Sequence, residues 1–283
     1  MVAGLALSRR QVVAGAAAVL WGGAARAASR GAATDRIVAL DWALAETLVA
    51  LGVAPLAVAE APLYARRVVE PALPAGTRDI GLRSWPNLEA LRALQPDLIL
   101  AMAGYGIAPA RLERIAPVRA FPLYSEARRP LDLARQAVRD LGGLTGRGAQ
   151  AAELLDRLDA ALAGPRLDDR PLLIVKFADD RLLDVFGAGS LFHDVLRPLG
   201  ATNAWTGPTN AWGFASTGLE ALAGHPEARL VIIEPAPPPR LADSPLWRAL
   251  PQVRAGRVTL LPPVWVFGGV PSALRFARLL GAA

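Results

Sequence analysis

Leu88-Glu89-Ala90-Leu91-Arg92-Ala93-Leu94 runs through Gln95-Pro96-Asp97 into Leu98-Ile99-Leu100-Ala101. The first stretch carries leucines at helical spacing behind Asn87, whose short amide suits an N-cap. Pro96 cannot continue the helix, so Gln95-Pro96-Asp97 ends it. The apolar run that follows is short and stops at Gly104, as a buried strand does. The pattern returns once. Leu219-Glu220-Ala221-Leu222 leads through Pro226-Glu227 into Leu230-Val231-Ile232-Ile233. A helix bearing a glutamate, a proline-acid break and a buried strand thus occur in each half, a weak internal repeat.

Around these two units the chain alternates strands and helices. In the first half, Arg36–Leu40 reads as a short buried strand. Asp41 then caps a helix over Trp42–Leu51, which Gly52 closes. Pro55–Ala59, Thr77–Gly81 and Pro117–Leu123 read as further strands. In the second half, Leu172–Phe177, Leu183–Phe186 and Val258–Leu260 are strands; a helix follows Ser190 to Leu199, and Ser272–Leu280 closes the chain. Such alternation implies α/β lobes with mainly parallel sheets.

The segment 130–165 contains no strand signal. Ala151, Leu154, Leu155, Leu158, Ala161 and Leu162 follow helical spacing, and Gly142-Gly143 with Gly146 divide the segment into a shorter and a longer helix. A helix over Gly148–Ala163 would be about 24 Å long. The expected organisation is an N-terminal lobe over 34–129, a helical linker over 130–165 and a C-terminal lobe over 170–283, with only modest lobe motion.

Residues 1–27 read as an address. Ser8-Arg9-Arg10 precedes an apolar stretch, and Ala25-Arg26-Ala27 offers a small-residue cleavage site. The adjacent arginines suggest the twin-arginine route, with the mature chain starting near Ala28 in a periplasm. No cysteine occurs among the 283 residues, which excludes disulfides, thiolate metal sites and a lipidated cysteine. The net charge is +6; removing Arg9, Arg10 and Arg26 lowers it to +3. No basic run with interleaved aromatics accompanies it, so nucleic-acid binding is a poor reading.

A search for catalytic chemistry finds little. His193 and His225 are the only histidines and lack partners at metal-ligand spacing, so no metal site is expected. Gly187-Ala188-Gly189-Ser190 lacks the glycine that a nucleophile elbow needs two positions on. Gly104-Tyr105-Gly106 lacks the third glycine of a dinucleotide loop. Asp168-Asp169 and Asp179-Asp180 read as solvated turns. No enzymatic function is expected. What remains suits holding a ligand. Arg83, Tyr105, Trp212, Trp265 and Phe267 each lie in a loop after a strand, where open α/β sheets place ligands. Trp205 and Trp247 read as core residues.

These residues also resemble a known family, the periplasmic ferric-hydroxamate (ferrichrome-type) siderophore-binding proteins of ABC uptake systems. The likeness is carried by Ile80-Gly81-Leu82-Arg83, Pro86-Asn87-Leu88-Glu89, Ala103-Gly104-Tyr105-Gly106, Val185-Phe186-Gly187, Asn203-Ala204-Trp205, Thr209-Asn210 with Trp212-Gly213, and Val253-Arg254-Ala255-Gly256-Arg257. It implies two Rossmann-like α/β lobes joined by a long rigid helix, the class III periplasmic binding protein fold. By this likeness Arg83 and Tyr105 would hydrogen-bond hydroxamate oxygens, Trp212 and Trp265 would pack on the siderophore, and Trp42, Asn210, Arg67 and Phe267 would complete the site. Arg67 stands where the family has an aromatic residue and Phe267 where it has a tyrosine. Glu89 and Glu220 would dock on an inner-membrane ABC permease. No cofactor is implied, because the iron arrives already chelated, and the protein would act as a monomer.

Two other readings stay open on the sequence. The same fold could take haem, cobalamin or a catecholate siderophore. An exported α/β hydrolase would need a serine, an acid and one of the two histidines to converge.

Overall fold

The computed structural model describes residues 36–164, 167, 169–179 and 181–283. The expected signal peptide lies outside the described residues.

The first half forms a parallel five-stranded sheet in the order β3-β2-β1-β4-β5. Its strands are β1 (Ile37–Ala39), β2 (Ala57–Val58), β3 (Arg78–Asp79), β4 (Leu98–Met102) and β5 (Val118–Phe121). Helices α1 (Trp42–Ala50), α2 (Ala61–Arg67), α3 (Leu88–Ala93) and α4 (Pro109–Leu112) connect them. All five residues of β4 are buried, as expected of a central strand covered on both faces. Asp41 accepts from the Ala43 amide and Asn87 from the Glu89 and Ala90 amides, so both expected N-caps form.

The second half is a five-stranded sheet in the order β10-β9-β6-β7-β8. It comprises β6 (Leu172–Phe177), β7 (Leu182–Phe186), β8 (Phe214–Gly218), β9 (Arg229–Ile233) and β10 (Val258–Leu261). Here the sheet is mixed: β7 runs antiparallel to both β6 and β8. The reversal comes from a tight turn in which the Asp179 carboxylate accepts from the Arg181 and Leu182 amides. Strand β8 carried no sequence signal, because Phe-Ala-Ser-Thr-Gly is half-buried except for the exposed Ser216 and lacks an apolar run. The helices of this half are α7 (Leu191–Leu196), α8 (Glu220–Ala223), α9 (Pro239–Ala242), α10 (Pro245–Ala249), α11 (Pro251–Arg254) and α12 (Val270–Gly281).

Between the sheets stand α5 (Pro130–Leu144) and α6 (Gly148–Leu162), of equal length. Gly142 and Gly143 stay inside α5, correcting the expected shorter first helix. The glycine is needed there for packing: a Cβ on Gly142 would fall 2.6 Å from the Ala151 side chain of α6. Helix α12 packs on α1, α5, α6 and α7. One buried apolar cluster therefore runs unbroken from Leu44 and Leu48 of α1 through Leu154 and Leu158 of α6 and Phe276 of α12 to Phe192 of α7. The lobes share this core, which resists hinge motion.

Polar bonds reinforce it. Glu46, fully buried in α1, accepts from the Gly269 amide at 2.6 Å and from the Ser272 hydroxyl at 2.6 Å, at the start of α12. Tyr124 donates to the Gly268 carbonyl at 2.9 Å.

Candidate functional site

The loop after β3 turns sharply at Gly81, whose φ of +81° suits glycine. It delivers Arg83 onto the face of the Trp42 indole, with the guanidinium carbon 4.0 Å from the ring centroid and 4.8 Å from that of Trp265. The Arg83 Nε donates to Glu60 at 2.8 Å. Stacking and ion pair together fix the plane of the guanidinium. Its two terminal nitrogens have no protein acceptor among the described residues, so a charged fork is left open.

The loop after β4 places Tyr105 between Gly104 and Gly106, both at positive φ. A Cβ on Gly106 would sit 3.1 Å from the Arg83 carbonyl, so this glycine lets the two loops approach. The Tyr105 ring lies 5.9 Å from the Arg83 guanidinium, and its hydroxyl makes no hydrogen bond among the described residues.

From the second half, the turn Thr209–Gly213 supplies Trp212. The Asn210 side chain accepts from the Trp212 amide at 2.9 Å and the Phe214 amide at 3.3 Å, which shapes the turn. The Trp212 ring stacks on Tyr124 at 5.5 Å and meets Tyr105 and Phe267 edge-on at 5.7 and 5.1 Å. Arg83, Gly104, Tyr105, Trp212, Phe214 and Phe267, with Asp41 at the floor, line one open cavity of about 340 Å³. Burial pushes the Asp41 carboxyl up to about 6, against the pull of the Arg83 charge.

The expected residues thus fall into three groups. Arg83, Tyr105, Trp212 and Phe267 share the cavity. Trp42 is fully buried and Trp265 is 7% exposed; both stand beneath the Arg83 guanidinium and shape it from behind. Asn210 folds the Trp212 turn. Arg67 lies apart, in a second cavity at the end of α2. Glu89 and Glu220 are exposed in the first turns of α3 and α8. Trp247 packs on Phe177 inside the second lobe, as a core residue.

Sequence reasoning missed Glu60, Tyr124, Arg128 and Phe214. Glu60 and Arg128 carry positive φ, at 52° each, which no local motif announces. Asp41 was legible only as a cap. Among the described residues no group of three or more histidines and acids could hold a metal ion.

Residues 37–264 match the periplasmic binding protein family. The chain belongs to that family. It is similar to the iron(3+)-hydroxamate-binding protein FhuD of Escherichia coli K12, at 38% identity over 257 residues that cover 88% of this chain and 86% of that protein. Among solved structures it resembles the siderophore-binding protein FhuD of Vibrio cholerae with Fe3+-Desferal bound, with a TM-score of 0.79, 33% identity, and 88% and 97% of the two chains covered. The catecholate-siderophore-binding protein VctP of Vibrio cholerae shares the fold, with a TM-score of 0.69 at 17% identity over 88% and 94% of the chains. As a periplasmic binding protein the chain is a solute-binding protein and not an enzyme. Its two α/β lobes and helical connection are the class III form of that fold.

Proposed function

We propose that this periplasmic binding protein captures an iron(III)-hydroxamate siderophore between its lobes and hands it to an inner-membrane ABC importer. The observation that carries the reading is the shared opening of Arg83 and Tyr105 beside Trp212. An open guanidinium fork and an unpartnered phenol offer donors to the negative oxygens of hydroxamates, while Trp212, Phe214 and Phe267 cover the organic backbone. The iron is cargo whose ligands the siderophore supplies. Similarity to the FhuD proteins of two organisms supports the same ligand class. Catecholates carry more negative charge, and among the described residues Arg83 is the single cation lining this cavity.

Residues 1–27 would direct export by the twin-arginine route, with cleavage after Ala27. Glu89 and Glu220 would meet basic residues of the permease, one on each lobe. The protein would work as a monomer.

Titration of the mature protein with a panel of ferric siderophores tests the reading through tryptophan fluorescence. Ferric hydroxamates should quench emission at concentrations of about a micromolar or below, the range of specific binding sites. No response to hydroxamates, with a strong response to haem or cobalamin, would overturn it.

A further inference from the structure

Asp41 follows closely on β1, and β1 and β4 are the neighbours at which the strand order of the first sheet reverses direction. Open α/β sheets take their ligands at this switch point, beyond the carboxyl ends of the strands. Asp41 stands there, 2% exposed, and lines the cavity with Arg83 and Tyr105. Its Oδ1 accepts from the Ala43 amide at 2.9 Å and so caps α1. Asparagine or serine would cap the helix about as well, and neither would bring a charge out of water. Burial raises the Asp41 carboxyl to about 6, which still leaves it mainly ionised at neutral pH. Capping alone does not call for that charge.

The rest of the cleft does not neutralise it. Arg83, the one cation lining the cavity among the described residues, has its Nε taken by Glu60 at 2.8 Å. Asp41 forms no ion pair with Arg83 among the described residues. One guanidinium therefore stands against two carboxylates, Glu60 bonded to it and Asp41 in the cavity floor. The open nitrogens of Arg83 still donate hydrogen bonds, because donation needs N–H groups and not a positive field around them. The cleft thus offers directional donors without attracting anions as such.

We propose that Asp41 is a specificity-determining residue that sets the charge of the cargo: the cleft takes iron(III) chelates whose coordination sphere is electrically neutral and turns away anionic chelates of the same shape. The proposal rests on the reading of this cleft as a ferric-siderophore site, and it narrows that reading from a donor type to a charge. Three monoanionic bidentate groups, hydroxamates among them, cancel the charge of iron(III). Three dianionic catecholates leave a trianion. Facing the buried Asp41, a trianion either meets a like charge or drives a proton onto the carboxyl, and both weaken its binding. A neutral chelate meets neither penalty.

Two iron(III) chelates built on one scaffold separate charge from shape. Three hydroxypyridinone arms give a neutral complex, and three catecholate arms give a trianion of nearly the same size. Their affinities for the mature protein are measured by calorimetry at neutral pH, with a ferric trihydroxamate alongside. Wild type should bind the neutral chelate at least about a hundredfold more tightly than the trianion, as expected of like charges facing one another in a partly enclosed site. Asp41→Asn keeps a capping side chain and removes the charge, so this ratio should narrow about tenfold. Asp41→Ser, a second capping residue, should narrow it by a similar factor. A residue that acts only by holding α1 would change both affinities together and leave the ratio as in wild type. Equal affinity of wild type for the two chelates would overturn the proposal, and so would an unchanged ratio in both variants. Failure of the neutral hydroxypyridinone chelate while the ferric trihydroxamate binds would overturn it too, since donor type and not charge would then decide. Failure of all three ligands would instead strike the reading of the cleft itself, and the proposal with it.

Discussion

The Arg128 guanidinium donates to the main-chain carbonyl of Asn210 at 2.9 Å, across 82 positions of sequence. It also bonds the Ala188 carbonyl and the Thr209 hydroxyl. Arg128 precedes α5, and Tyr124, four residues earlier, stacks flat on Trp212. One short segment thus grips the Trp212 turn by its backbone and by its ring. Arg128 is a positioning residue: it holds the indole where the cavity needs it and does not line that cavity.

Arg128→Ala should weaken ferric hydroxamate binding roughly tenfold, about 1.4 kcal/mol. A merely structural role would give the same loss whatever residue stands at 212. The discriminating measurement is a double-mutant cycle with Trp212→Ala, read by calorimetry. In that background the further loss should shrink to within about twofold, since the two residues act as one unit. Additive losses would show that Arg128 does not act through Trp212.

Arg83→Lys should cost nearly as much as Arg83→Ala. The guanidinium spends its Nε on Glu60, lies flat on Trp42 and still presents two nitrogens to the cavity. A lysine ammonium is a single point charge; paired with Glu60 it has no planar face to stack and no fork left over. Loss of a charge-assisted hydrogen bond in a partly enclosed site is worth about 1.5–3 kcal/mol, or roughly ten- to a hundredfold in affinity. Titration calorimetry of both variants with one ferric hydroxamate checks this, and wild-type affinity in Arg83→Lys would contradict it.

Much of this site was legible because loops after strands punctuate themselves. Gly81, Gly104 and Gly106 announced turns, and Arg83, Tyr105 and Trp212 stood out beside them. The buried strands β4, β6 and β9 were equally plain as unbroken apolar runs. What stayed hidden depends on distant pairing. Arg128 is one arginine among many until Asn210 arrives from the other lobe. Glu60 reads as a surface acid until Arg83 folds onto it. Glu46 sits in an apolar helix and looks like its solvated face, yet it is fully buried against the start of α12. Arg67 was read from its family position at the cleft rim; it lines a cavity distinct from that of Arg83, bounded by Leu63 and Arg66 of α2 and by Glu234, Pro235 and Pro263 of the second half.

The buried Glu46 gives stability a pH signature. Burial raises its carboxyl from the ordinary 4.5 to about 8, only partly offset by its bonds from Ser272 and Gly269. The folded protein therefore holds this proton more tightly than the unfolded chain does. Between those two values the native state binds more protons at Glu46, so the contribution of Glu46 to stability is greatest below about 4.5 and is lost as pH rises toward 8. Asp41 contributes in the same direction between 3.8 and about 6. Glu46→Gln keeps the shape and removes the titration. Thermal unfolding scans from pH 5 to 8 should show the wild-type midpoint falling by several degrees relative to that of Glu46→Gln. Parallel curves for the two proteins would mean that Glu46 does not titrate in this window.

Charge reversal at Glu89 and Glu220 separates capture from delivery. Each is exposed in the first turn of a helix, α3 in one lobe and α8 in the other, and each helix leads into a buried strand of its sheet. Neither touches the cavity that holds Arg83 and Trp212. A negative charge at a helix N-terminus is favourable by itself, so reversal costs a few tenths to about 1 kcal/mol of stability per site and leaves the fold intact. Glu89→Arg/Glu220→Arg should therefore bind ferric hydroxamate within about twofold of wild type, a change at the edge of detection. Uptake of radioactive iron, in cells whose only binding protein is this one, should fall to background in the double variant. Uptake at the wild-type rate would remove both carboxylates from the permease contact and leave them as helix-terminal charges alone.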